Sequence, residues 1–120
     1  MSYAAELRWQ RDAACLDYPP NWWFPERYSK NSVMARGICK VCLVRRECLT
    51  FALSGNEDYG IWGGYNVHEL DMYKRARCRT CQRRISAAEA AAIAAADCPP
   101  PRQWECRKCF YRGIAERRRT

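Results

Sequence analysis

Residues 39–65 read CKVCLVRRECLTFALSGNEDYGIWGGY, and this stretch, together with Cys15 upstream, decides the fold. On one straight helix at roughly 100° per residue, Cys42 lies about 60° from Cys39, whereas Cys48 lies about 180° from it. Three thiols that converge on one centre therefore require the chain to bend between them or to fold around something. The full spacing is Cys15-x23-Cys39-x2-Cys42-x5-Cys48. Four soft thiolates suit an iron–sulfur cluster and zinc alike. A zinc ribbon carries two Cys-x2-Cys pairs and this quartet carries one, which leans the reading toward a cluster.

Outward from the quartet, the segment after Cys48 reads as a short helix packed through Leu49, Ala52 and Leu53, ended by Gly55 or Asn56 in the left-handed conformation. In Gly60-Ile61-Trp62-Gly63-Gly64 three glycines let the backbone turn tightly around a large flat side chain, which by itself reads as a packing residue. Asn66 and Glu69 then form a capping signature for a helix to about Arg77, with the single histidine, His68, exposed in its first turn. Upstream, residues 1–14 are good helix formers leading into Cys15, with Trp9 packed on the core. Pro19, Pro20 and Pro25 predict an extended loop over 17–25, whose Trp22, Trp23 and Phe24 form an apolar lid over the cysteine centre. Residues 29–44 are helical, mildly interrupted at Gly37. Lys40, Arg45 and Arg46 either offset the negative charge of four ligated thiolates or line a solvated face.

These motifs in this order, Cys15, Trp22-Trp23-Phe24-Pro25-Glu26, the Cys39/Cys42/Cys48 spacing and Gly60-Ile61-Trp62-Gly63-Gly64, resemble the WhiB-like family of actinobacterial and actinophage transcription factors. The resemblance runs over roughly residues 9–75. It implies a small, mostly α-helical domain wrapped around a [4Fe-4S] cluster held by Cys15, Cys39, Cys42 and Cys48. It also implies docking, as a monomer, on the carboxyl-terminal domain of the primary sigma factor of RNA polymerase. The contact surface would hold Trp62 with Gly60, Gly63 and Gly64, and Phe24 with Pro25. Redox-dependent binding follows, because oxidation that degrades the cluster releases the fold the thiolates hold. The family pattern has two Phe before the proline, where this chain has two Trp and one Phe.

Beyond Arg77 the resemblance fades. Cys78/Cys81 and Cys106/Cys109 are two Cys-x2-Cys knuckles, the logic of a tetrahedral Zn²⁺ site on a small ribbon-like module. Between them, Ser86 and Glu89 cap an alanine-rich helix to about Ala96. That helix is too poor in large apolar groups to stand alone, so metal closure is expected to hold its ends. Cys98 reads as a spare thiol. The division expected is residues 1–76 for the cluster domain and 77–120 for the basic metal module.

Charge follows the same division. Residues 1–65 hold eight Lys/Arg against seven Asp/Glu, and residues 66–120 hold thirteen against six, so nearly all of the net +8 is carboxyl-terminal. Such asymmetry points to DNA, with Arg83, Arg84, Arg107, Lys108, Arg117, Arg118 and Arg119 as candidate contacts. Nine cysteines in Cys-x2-Cys groups, without an apolar leader or spanning run, read as cytoplasmic metal binding rather than a secreted disulfide framework or a membrane protein. No nucleophile elbow or phosphate-binding glycine loop argues for an enzyme. Two readings stand beside the regulator: a zinc-only nucleic-acid-binding protein, and a disulfide reductase using Cys39 and Cys42.

Overall fold

Proline shapes the amino-terminal segment. The computed structural model describes residues 8–24, 30–55, 59–101 and 104–119. Three 3-10 segments, Arg8–Asp12, Ala14–Asp17 and Pro20–Trp23, precede the first α-helix. The helix expected before Cys15 is thus a pair of tighter turns over its described part. The loop expected over 17–25 is a helical turn in its middle, because Pro20 opens it where a fixed φ fits and no N–H is required. Pro25 and Glu26 lie outside the described residues.

Helix α1, Lys30–Lys40, runs unbroken through Gly37. The chain turns over residues 41–44 and resumes as α2, Arg45–Ser54. This is the bend that the three cysteines demand, with Cys39 at the end of α1, Cys42 in the turn and Cys48 in the first turn of α2. Helix α2 closes at Gly55, which is extended (φ −100°) with its N–H bonded back to the Phe51 carbonyl; Asn56, the other residue expected to take the left-handed conformation, lies outside the described residues.

Strands β1 (Ile61–Trp62) and β2 (Tyr65–Asn66) pair antiparallel, with Trp62 opposite Tyr65. Gly63 and Gly64 form the connection at φ +59° and +95°, the sign that a two-residue type I′ turn requires at both positions. A side chain at Gly63 would also run into Leu49. Helix α3, Val67–Lys74, starts at the expected Asn66/Glu69 capping box and ends three residues short of the expected Arg77. Helix α4, Ala87–Ala95, starts at the Ser86/Glu89 box, and α5 spans Arg107–Arg119.

One core joins elements from both halves of the chain. Leu49, Ala52 and Leu53 of α2 meet Leu70 and Tyr73 of α3, and both meet Ile85, Ala90, Ala91 and Ala94. The alanine-rich helix, expected to be held at its ends by metal, is also packed into this core. Its methyl groups let it lie close against α2, and packing, not propensity, supports it. No separate zinc-ribbon module stands apart from the helical body. Smaller clusters surround the cysteines: Trp23, Ala35, Cys39 and Ile61 at one end, and Cys78, Cys106 and Cys109 at the other. Among the described residues, no helix is long and apolar enough to cross a membrane.

Ala91 is fully buried, and Ala88, one residue short of a turn away, is exposed. Ala91→Leu is expected to overpack the α2/α4 contact and destabilise the protein by about 1–3 kcal/mol. Ala88→Leu should stay within about 0.5 kcal/mol. Denaturant midpoints of the two variants check this.

Candidate metal centres

Three elements and one turn deliver the first quartet. Cys15 comes from the second 3-10 segment, Cys39 from α1, Cys42 from the 41–44 turn and Cys48 from α2. All four line a cavity of about 170 Å³ whose remaining wall is mostly aromatic and aliphatic, including Trp9, Trp23, Ile61 and Trp62. The expected lid is formed by Trp23, which is buried and donates its Nε1–H to Cys39 Sγ at 3.1 Å. Trp22 stacks on Trp23 at 6.3 Å. Phe24 is exposed and leans instead on Tyr59, whose hydroxyl donates to the Phe24 carbonyl at 2.9 Å. The Ala14 N–H points at Cys42 Sγ at 3.4 Å.

Burial pushes the Cys48 thiol up to about 12 and raises Cys15 and Cys39 as well, with neighbouring thiols of the quartet adding to the rise. At Cys39 the Trp23 donor and the Gly64 backbone oppose that rise. Cys15, Cys39 and Cys48 are therefore held toward the neutral thiol unless a cation replaces the protons. Among the described residues, the second quartet alone is drawn tightly enough to embrace a single ion. The first is spread around a wider cavity, and its all-thiol donor set fits a multi-atom iron–sulfur core.

The second quartet is built differently. Cys78, Cys81, Cys106 and Cys109 bring their Sγ atoms within 4.8 Å of one another. Cys81 and Cys106 are 3.8 Å apart, about the edge of a tetrahedron with metal–sulfur bonds near 2.3 Å. This is a Cys₄ cluster able to coordinate a metal ion. Backbone pairing supports it: Cys78 N–H donates to the Arg83 carbonyl, Gln82 N–H to the Cys78 carbonyl, and Arg79 N–H to the Trp104 carbonyl, at 2.8–2.9 Å. Gln82 turns the knuckle at φ +65°. Burial alone would raise Cys78, but N–H groups of Cys106, Cys81 and Thr80 outweigh it and draw the thiol down to about 6. Cys98 is exposed and lies outside the quartet.

Arg45 has a larger role than either sequence reading assigned it. Its side chain is 9% exposed and reaches three segments. Nε donates to the Gly63 carbonyl at 2.8 Å, Nη1 to the Ala95 carbonyl at 3.1 Å, and Nη2 to Asp97 Oδ1 at 2.8 Å. Tyr65 bonds the Ala94 carbonyl and Asp97 from the other side. Lys40 and Arg46, by contrast, are exposed. Asp97 follows α4 at φ +57°; Pro99 to Pro101 signalled the helix stop, but nothing local signalled its partner.

The candidate sigma-contact residues fall into two groups. Trp62 is half-buried and meets Phe51 in a tilted contact at 5.9 Å, and Phe51 in turn meets Trp9 at 6.0 Å. Gly60, Gly63 and Gly64 are buried beneath it. Among the candidate DNA contacts, Arg83 is committed to Glu89 at 3.2 Å and lies over the Trp104 ring at 5.0 Å. Arg84 is exposed on the same loop, while Arg107, Lys108, Arg117, Arg118 and Arg119 are exposed along α5.

A family model described as "Transcription factor WhiB" matches residues 9–72. The chain is 41% identical over 71 residues to "Transcriptional regulator WhiB" of Streptomyces coelicolor, covering 59% of this chain and 80% of the relative. It is 37% identical over 70 residues to "Transcriptional regulator WhiB2" of Bifidobacterium longum, covering 58% and 70%. Against "Transcriptional regulator WhiB1" of Mycobacterium tuberculosis the identity is 35% over 78 residues, covering 62% and 93%. The family-model match, ending at residue 72, stops before α4 and α5 begin.

Because the first quartet binds metal only as thiolates and burial raises Cys15, Cys39 and Cys48, loading it is expected to release protons and to weaken as pH falls. Proton release on anaerobic metal addition, read with a pH indicator in weakly buffered solution, checks the sign.

Proposed function

The chain belongs to the WhiB family, and on that footing we propose that it is a transcription regulator whose fold is held by a [4Fe-4S] cluster on Cys15, Cys39, Cys42 and Cys48. The observation that carries the reading is the convergence of those four side chains on one cavity beside the glycine-tryptophan turn. The cluster, when bound, supplies redox sensitivity and about four metal–thiolate bonds' worth of cross-linking to a chain with a small core. The residues around it have separable tasks. Trp23 donates to Cys39 and excludes water; Gly63 and Gly64 bring the turn close; Arg45 places a fixed positive charge beside the thiolates.

The turn then presents Trp62 within an aromatic surface shared with Phe51 and Trp9. We assign that surface to the sigma factor, since half-buried tryptophans in firm aromatic settings carry a disproportionate share of interface energy. The buried glycines act beneath it by shaping the turn. Phe24 lies at the edge of the same region, and Pro25 adjoins it in sequence. The second quartet fits one Zn²⁺ by its sulfur spacing, and the exposed Arg84 beside it and the basic residues along α5 are assigned to promoter DNA, while Arg83 is committed to Glu89 and Trp104.

Two measurements test this. Anaerobically purified protein is expected to hold about four iron, four sulfide and one zinc per chain. Zinc near two per chain without sulfide, even after reconstitution, would replace the regulator with a zinc-only nucleic-acid-binding protein. Trp62→Ala is expected to weaken binding to the sigma carboxyl-terminal domain by at least about 2 kcal/mol, some thirtyfold, with iron content unchanged. Unchanged affinity sinks the proposed contact surface.

A further inference from the structure

We propose that helix α5 is a duplex-DNA-binding helix held in place by the metal of the second quartet, with its Arg107/Lys108/Arg112/Arg118/Arg119 face set into the major groove. This rests on the DNA assignment above and identifies the surface that carries it. At roughly 100° per residue those five cations fall within an arc of about 140°, with Tyr111 and Ala115 between them. Glu116, the helix's single acid, lies outside the arc, and Cys109 projects from the opposite side.

Burial agrees with this geometry. The five basic side chains, Tyr111 and Ala115 are exposed, whereas Cys109 is buried with Cys78 and Cys106. The metal ligand therefore anchors one side of the helix and leaves the cationic side outward. The Phe110 N–H bonds the Cys106 carbonyl at 2.9 Å, so the helix begins within the knuckle itself. Among the described residues, none of the ion pairs engages the five cations of this face. Arg83 is different, being spent on Glu89 and Trp104, and it contributes to the metal site rather than to DNA.

Several features select duplex DNA as the occupant. The helix is 13 residues long, about 20 Å, and a single helix fits the roughly 12 Å major groove. Cations at both margins of the arc can reach phosphates on either side, while Ala115 lets the backbone approach the groove floor. Single-strand recognition relies on a run of stacking aromatics, and this face has only Tyr111, covered by Arg107 at 5.7 Å. Insertion into an anionic membrane needs a broad apolar stripe opposite the charges, and there the helix is pinned by Cys109 instead.

The experiment uses the full chain, loaded without oxygen, and a short mixed-sequence DNA duplex titrated at several salt concentrations. The triple variant Lys108→Ala, Arg112→Ala, Arg119→Ala is expected to flatten the slope of log K against log salt by about 2.7, roughly 0.9 per lost phosphate contact. Its low-salt affinity should fall at least tenfold, about 1.4 kcal/mol, with iron and zinc content unchanged. Arg11→Ala, an exposed cation on the first 3-10 segment and outside α5, should leave the slope unchanged within about 0.3. Cys109→Ser should lose zinc and, with it, the tight duplex mode. A wild-type chain that binds no duplex overturns the DNA assignment itself. A wild type that binds, with a triple variant keeping slope and affinity, overturns the helix while leaving that assignment intact. Tenfold preference for single-stranded RNA or phosphatidylglycerol vesicles overturns the occupant, and zinc loss without loss of duplex binding overturns the metal's part.

Discussion

The guanidinium of Arg45 is the point on which the rest of the molecule depends. It is the one buried charge among the described residues, it opens α2 between Cys42 and Cys48, and its donors meet the glycine turn, the end of α4 and Asp97. A buried cation is tolerated only when it is paired and hydrogen-bonded, and here every demand is met within one side chain. No buried side-chain polar atom among the described residues lacks a partner. Asp97 is half exposed, so the pair's strength comes more from the two carbonyl bonds than from the Coulomb attraction. The wall of the cysteine cavity and the far end of the alanine-rich helix are thereby joined through one side chain.

That link changes what the carboxyl-terminal half means. Helix α4 completes the core of the body that carries the first quartet. The parallel bridge between Cys78 and Trp104 and the bond from the Cys106 N–H to Cys78 Sγ at 3.3 Å join the two knuckles of the second. Two cysteine quartets thus flank one small core in a chain of 120 residues. Their thiols are prepared differently. In the first quartet burial raises Cys15, Cys39 and Cys48, whereas in the second, backbone donors lower Cys78 and Cys106 while Cys109 is raised, chiefly by its bond with Cys106.

The same economy governs the aromatic residues. Trp23 serves the cavity through its ring and its N–H, while Trp62 is divided, its Nε1–H bonded to the Tyr59 carbonyl at 3.1 Å and its face against Phe51. Phe24, which the sequence grouped with the lid, lies outside it because the 3-10 turn from Pro20 rotates Trp23 inward and Phe24 outward.

Local signals were legible in the sequence because their partners lie within a turn or two. The bend between Cys39 and Cys48, the glycine turn, and the capping boxes at Asn66/Glu69 and Ser86/Glu89 all follow from residue type and short spacing. So does the pairing of two knuckles into one Cys₄ group, since each knuckle is a local unit and a soft ion needs four donors. Tertiary structure alone decided that α4 belongs to the main core, because alanine carries no directional pattern and its burial depends on finding α2. It alone decided that Arg45 meets Asp97, 52 residues away, because a charge in a sequence does not name its partner. Such contacts are chosen by the packing of the whole chain, where a buried cation takes whatever acceptors the folded elements bring within reach.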